Sequence, residues 1–87
     1  MPFIVRPKKS ALKFIESLDN KQKGRVREAI DTLKEEPVPA GIYDVTKLEG
    51  YESHYRIRIG KIRIVYEVLW TEKQIIVHFV GWRGRAY

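Results

Sequence analysis

Two short runs of strictly alternating residues, Tyr55-Arg56-Ile57-Arg58-Ile59 and Ile62-Arg63-Ile64, stand on either side of Gly60-Lys61. A period of two puts every isoleucine on one side of an extended chain and every arginine on the other. Glycine at the first position of a two-residue link supplies the positive φ of a type II′ turn, so the runs fold back on each other as an antiparallel hairpin. The turn fixes the pairing: Ile59 with Ile62, Arg58 with Arg63, Ile57 with Ile64 and Arg56 with Val65. A slip of one residue would carry the isoleucines into water, so few folds are open to this chain.

A third run, Gln74-Ile75-Ile76-Val77-His78-Phe79-Val80, follows the turn-like Thr71-Glu72-Lys73. With residues 71–74 in the loop, Val68 pairs with Val77, Glu67 with His78 and Tyr66 with Phe79. One face then holds Tyr55, Ile57, Ile59, Ile62, Ile64, Tyr66, Val68, Ile75, Val77 and Phe79. The other holds Arg56, Arg58, Arg63, Glu67, His78 and Trp82. The apolar face needs a cover, and the N-terminal half supplies one.

There, Phe3-Ile4-Val5-Arg6 reads as a strand stopped by Pro7, which suits the first turn of a helix reaching about Leu18. Ala11, Leu12, Ile15 and Leu18 share one side of that helix. Asp19 or Asn20 caps a second helix, whose inward side is Val26, Ala29, Ile30 and Leu33 and which ends before Pro37. The predicted fold is α+β, in the order β-α-α-β-β-β. A helical hairpin packs on one face of a largely antiparallel four-stranded sheet, in a single domain over residues 1–87.

The chain has 87 residues and no cysteine, which excludes disulfides, thiolate catalysis and cysteine-ligated zinc. No apolar run approaches the length of a membrane span, so a cytoplasmic protein is expected. Seventeen Lys and Arg against eleven Asp and Glu give a net charge of +6, which favours an anionic partner.

Where the cations sit says more than how many there are. Arg58 directly opposite Arg63 costs roughly 0.2–1 kcal/mol, and Arg56 adds a third guanidinium to the patch. A merely solvated face would intersperse both signs, and only Glu67 is acidic here. A phosphate would offset the repulsion through charge-assisted contacts. The tail, Gly81-Trp82-Arg83-Gly84-Arg85-Ala86-Tyr87, can fold Arg83, Arg85 and Tyr87 back towards the patch, and Trp82 and Tyr87 offer flat faces to unpaired bases. His54 and His78, 24 residues apart, match no usual metal-ligand spacing and are read as structural or exposed. No metal and no cofactor are expected.

The order Lys47-Leu48-Glu49-Gly50, Tyr55-Arg56-Ile57-Arg58-Ile59, Ile62-Arg63-Ile64-Val65-Tyr66, Gly81-Trp82-Arg83-Gly84-Arg85 resembles the RelE toxins of the RelE/ParE superfamily, archaeal members above all. The resemblance implies a type II toxin that cleaves messenger RNA in the ribosomal A site without a metal. The 2′-hydroxyl attacks the adjacent phosphate and leaves a 2′,3′-cyclic phosphate, or its 3′-phosphate, and a 5′-hydroxyl. It also implies an acidic, RelB-like antitoxin as partner. Carried over by position are Arg56, Arg58, Arg63, Arg83 and Tyr87, of which Arg58, Arg63, Arg83 and Tyr87 are the catalytic candidates; Arg56 and Arg58, with Lys47, Trp82 and Arg85, are the expected RNA contacts. Arginine at positions 56 and 58 replaces lysines of well-studied bacterial members, so these two hold phosphate and stabilise charge rather than transfer protons. The same resemblance leaves open a ParE-like inhibitor of DNA gyrase, and the arginines alone leave open a non-catalytic RNA-binding module.

Overall fold

The computed structural model describes residues 2–85. Its elements run β1 (Ile4–Pro7), α1 (Lys9–Ser17), α2 (Asn20–Glu35), β2 (Asp44–Lys47), β3 (His54–Ile59), β4 (Ile62–Leu69) and β5 (Gln74–Trp82). The strands form one sheet in the order β1-β5-β4-β3-β2, with β1 parallel to β5 and the other pairs antiparallel. The α+β class and the helical hairpin are as the sequence predicts. The sheet has five strands rather than four, because Asp44–Lys47 pairs with β3 along its outer edge. Those four residues carry no apolar alternation strong enough to mark them as a strand. Pro7 ends β1 instead of opening the helix, and on an edge strand its missing N–H breaks no ladder.

The hairpin register is the predicted one, with Arg58 opposite Arg63 and Ile57 opposite Ile64. Gly60 takes φ 57 to make the turn. Ile57, Ile62, Ile64, Tyr66, Val68, Ile75 and Val77 are buried against Ala11, Ile15, Val26, Ala29 and Leu33 from the helices. Asp19 caps α2, its carboxylate accepting from Gln22 N–H at 2.8 Å. Tyr66, fully buried, donates its hydroxyl to the Pro37 carbonyl at 2.8 Å and so ties the sheet to the end of α2.

The β4–β5 pairing differs from the prediction. The four-residue loop lies one position earlier than expected, over residues 70–73 with Lys73 at φ 57, so Leu69 pairs with Gln74 and Val68 with Ile75 rather than Val77. The ladder then breaks between Val65 and Tyr66: Tyr66 pairs with Val77, Val65 with Phe79, and His78 is the extra residue of a bulge. Past the bulge the alternation of faces is inverted. Val80 therefore enters the core in place of Phe79, and Trp82 turns to the helix side, its ring edge-on to Phe14 at 5.4 Å. The expectation that Trp82 shares the arginine face is overturned by this one inserted residue.

Candidate nucleic-acid interface

Four arginines meet on the face of the sheet that the helices leave uncovered. Arg56 and Arg58 come from β3 and Arg63 from β4, all set outward by the alternation that buries their isoleucine neighbours. The Arg63 guanidinium is held by backbone, its Nη1 donating to the carbonyls of Gly60 at 2.8 Å and Ile62 at 3.0 Å. Desolvation, then the positive charges of Arg58, Arg56 and Arg83, lower its proton affinity, with Asp44 acting the other way. That set of neighbours places Arg83 beside the hairpin arginines. The tail is brought there by Arg83 N–H donating to the Lys61 carbonyl at 2.7 Å.

A groove opens between these residues, lined by Arg56, Arg63 and Arg85, by Val65 and Phe79 beneath them, and by Leu48, Glu49 and Tyr51 from the β2–β3 connection. Gly84, at φ 87, lets the chain turn, and Arg85 N–H closes that turn on the Trp82 carbonyl at 3.2 Å. Arg56 Nε is buried and meets no hydrogen-bond acceptor among the described residues. A buried donor on a permanently charged group calls for an acceptor, and phosphate oxygens suit guanidinium best.

Arg56, Arg58, Arg63, Arg83 and Arg85 are thus brought together as expected. Lys47 is not among them: it ends β2 opposite Tyr55 and lines an adjoining concavity with residues 48–52, which shares Leu48, Glu49 and Tyr51 with the groove. Tyr87 lies outside the described residues.

Three contributors are not legible in the sequence pattern. Asp44 stands opposite Arg58 and its Oδ2 lies 3.5 Å from Arg58 Nε, so Glu67 is not the only acid on this face. Glu49 and Phe79 line the groove, the first through the loop and the second through the bulge. The Lys47-Leu48-Glu49-Gly50 motif carried a signal for the loop; the bulge left none.

A second cluster lies on the same face, at the end of the hairpin away from its turn. His54 pairs with Glu67 across β3 and β4, and His78 Nε2 is 2.9 Å from Glu67 Oε1. The two imidazoles stack at 5.3 Å with planes 9° apart. Residues 24 apart in sequence meet here because strand pairing, not local spacing, joins them.

A family model described as ParE toxin of type II toxin–antitoxin system, parDE, matches residues 5–87. The chain is 38% identical over 87 residues to RelE1 of Methanocaldococcus jannaschii, covering 100% of this chain and 97% of that protein. It is similar to the toxin chain in the archaeal RelE–RelB complex from Pyrococcus horikoshii OT3, at 39% identity and TM-score 0.87, covering 99% of this chain and 100% of that one. The intact Escherichia coli RelBE toxin–antitoxin complex contains the same fold, at TM-score 0.79 and 22% identity, over 95% of this chain and 99% of that one.

Proposed function

This chain belongs to the ParE toxin family of type II toxin–antitoxin systems and has the RelE-like toxin fold, and on that premise we propose that it is a ribosome-dependent messenger RNA endonuclease. The observation that carries this reading is the convergence of Arg56, Arg58, Arg63 and Arg83 on one open face, with a buried Arg56 N–H that meets no acceptor among the described residues. Cleavage by 2′-hydroxyl attack builds a phosphorane-like transition state with more negative charge than the ground state. Fixed guanidinium groups favour that state selectively.

In the proposed step the 2′-oxygen loses its proton and bonds to the adjacent phosphorus, and the bond from phosphorus to the 5′-oxygen breaks. The leaving oxygen takes up a proton. The products are a 2′,3′-cyclic phosphate, which water can open to the 3′-phosphate, and a 5′-hydroxyl. Arg63 and Arg83 hold the scissile phosphate, and Arg56 and Arg58 the flanking ones. Arg85 and the flat side of Phe79 contact the strand within the groove. Tyr87 is assigned to orient or deprotonate the 2′-hydroxyl, and Glu49 brings a carboxylate to the same groove. The ribosome orders the RNA for in-line attack, so free RNA is cleaved slowly. The partner that silences the protein is an acidic, RelB-like antitoxin, a reading supported by the similar chains solved in RelE–RelB complexes.

The test is cleavage mapping by primer extension on translating ribosomes, with wild type and Arg83→Ala. Wild type should cut in phase with codons. Removing one preorganised charge-stabilising donor should slow cleavage by about 100- to 1,000-fold. Equal cutting by both would remove Arg83 from the site while leaving the class intact. A second reading, inhibition of DNA gyrase by binding, draws on the family model being that of the ParE toxins. It predicts no RNA ends and gyrase trapped on DNA in the same cells.

A further inference from the structure

We propose that His54, Glu67 and His78 form a three-ligand site for a divalent transition metal of the zinc type, separate from the arginine groove. Each residue turns one ligand atom inward, and these atoms all lie within 4.8 Å of one another. Glu67 Oε1 is 2.9 Å from His78 Nε2 and 3.8 Å from His54 Nε2. A metal about 2.0–2.2 Å from nitrogen and oxygen ligands in tetrahedral array separates them by roughly 3.3–3.6 Å. The two separations from Glu67 bracket that value, so the carboxylate and His78 would open slightly and His54 close on an ion between them.

The hydrogen bonding of His54 prepares it as a ligand. Its Nδ1 is 2.8 Å from the Glu52 carbonyl oxygen, which can only accept. Nδ1 therefore carries a proton, which leaves Nε2 as the ring nitrogen available to a metal, on the side facing Glu67. A backbone carbonyl fixing the tautomer in this way is the usual outer support of a metal-bound histidine. A proton bridges only one of the two pairs, His78 Nε2 with Glu67 Oε1 at 2.9 Å, and a bound metal would displace it. At 3.8 Å, His54 Nε2 and Glu67 Oε1 are too far apart for a hydrogen bond, and a single carboxylate oxygen faces both rings. A cation between the three atoms satisfies all of them.

Burial and charge agree. The side chains of His54, Glu67 and His78 are 15%, 26% and 13% exposed, shielded enough to hold their geometry and open enough to admit an ion. The Tyr51 ring lies 5.1 Å from the His54 ring. A ligand set of two imidazole nitrogens and one carboxylate favours zinc, cobalt or nickel over magnesium or calcium, which prefer all-oxygen shells. Arg56 lies two residues along β3 from His54, about 7 Å away by strand rise, so the Glu67 charge is needed to offset an added cation. Three protein ligands leave one coordination position for water.

The experiment uses the tag-free full chain without RNA, so its result is independent of the nuclease reading. Cobalt(II) titration should give the visible bands of a four-coordinate ion at one equivalent, displaced by zinc. His54→Gln, His78→Gln and Glu67→Gln should each weaken zinc, measured against a chromophoric chelator, by ~100-fold or more, the upper end of what even outer-sphere changes cost. Glu72→Gln, in the exposed β4–β5 loop, should bind as wild type. Far-UV circular dichroism confirms that each variant is folded, and Glu67→Gln preserves shape and a hydrogen bond to His78. Absence of cobalt bands, or binding that survives all three substitutions, overturns the proposal.

Discussion

Arg63 is anchored by two carbonyls and surrounded by cations, so its removal should separate stability from binding. Arg63→Ala relieves the repulsion with Arg58, worth about 0.2–1 kcal/mol, and returns the exposed Gly60 carbonyl to water. Its urea midpoint should equal or exceed that of wild type, while affinity for single-stranded RNA falls. The slope of log affinity against log salt should shrink by about 0.7 for each phosphate the variant no longer neutralises. A destabilised variant with an unchanged salt slope would mean that the arginines serve the fold rather than a ligand. Tyr66 makes the opposite case. Burial, with a smaller effect of Tyr55, pushes its hydroxyl well above the ordinary phenol range. A folded-state pKa above the unfolded one contributes stability that is intact below about pH 10 and is lost as pH rises through and beyond it, by up to roughly 1.4 kcal/mol per unit. Tyr66→Phe should cost about 1–2 kcal/mol at neutral pH, because the Pro37 carbonyl is left without its donor. Urea melts at about pH 9 and pH 11 should show a smaller alkaline decline for the variant than for wild type.

At the scale of elements, the bulge in β5 decides which aromatic serves the groove. The inverted alternation places Phe79 beside Val65 and leaves Gly81 beneath its ring, where an added Cβ would run into Cζ. Gly81→Ala should drive that ring into the groove, costing about 1–3 kcal/mol in stability and weakening RNA binding, whereas Gly41→Ala, with open space around it, should do neither. The helical hairpin depends on its cap rather than on its surface ions. Asp19→Ala should cost about 1 kcal/mol in a denaturant titration. Glu16 bridges to Lys23 at 3.5 Å and Arg27 at 2.6 Å, but these groups are exposed and contribute little.

At the scale of the molecule, a domain of this size retains much of its surface in water, and Ile4, Leu12, Ile42, Tyr51, Trp70 and Trp82 are exposed large apolar side chains. Such a chain gains stability from a partner that binds only its folded form. An acidic antitoxin present at 100 times its dissociation constant should add about 2.7 kcal/mol. A melting temperature that does not move when the antitoxin is added would sink the partner reading. Among the described residues, no helix is long and apolar enough to cross a membrane.

The alternation around Gly60-Lys61 determined the hairpin, its register and the opposition of Arg58 to Arg63, because a period of two and a two-residue turn leave one pairing that buries the isoleucines. Helical spacing determined α1 and α2 and, apart from Leu12, which is exposed, the side each presents to the sheet. The family, and with it the α+β fold, was legible in motifs spread along the chain. Tertiary structure alone decided the rest. The loop before β5 moved its register by two residues, which keeps the faces, and the bulge at His78 then inverted the end of the strand, exchanging Phe79 and Trp82 between faces. The edge pairing of β2 brought Asp44 to Arg58. Strand pairing closed the distance from His54 to His78 that no local spacing rule could bridge. Each of these depends on which residues meet across strands, and one inserted residue changes every partner beyond it.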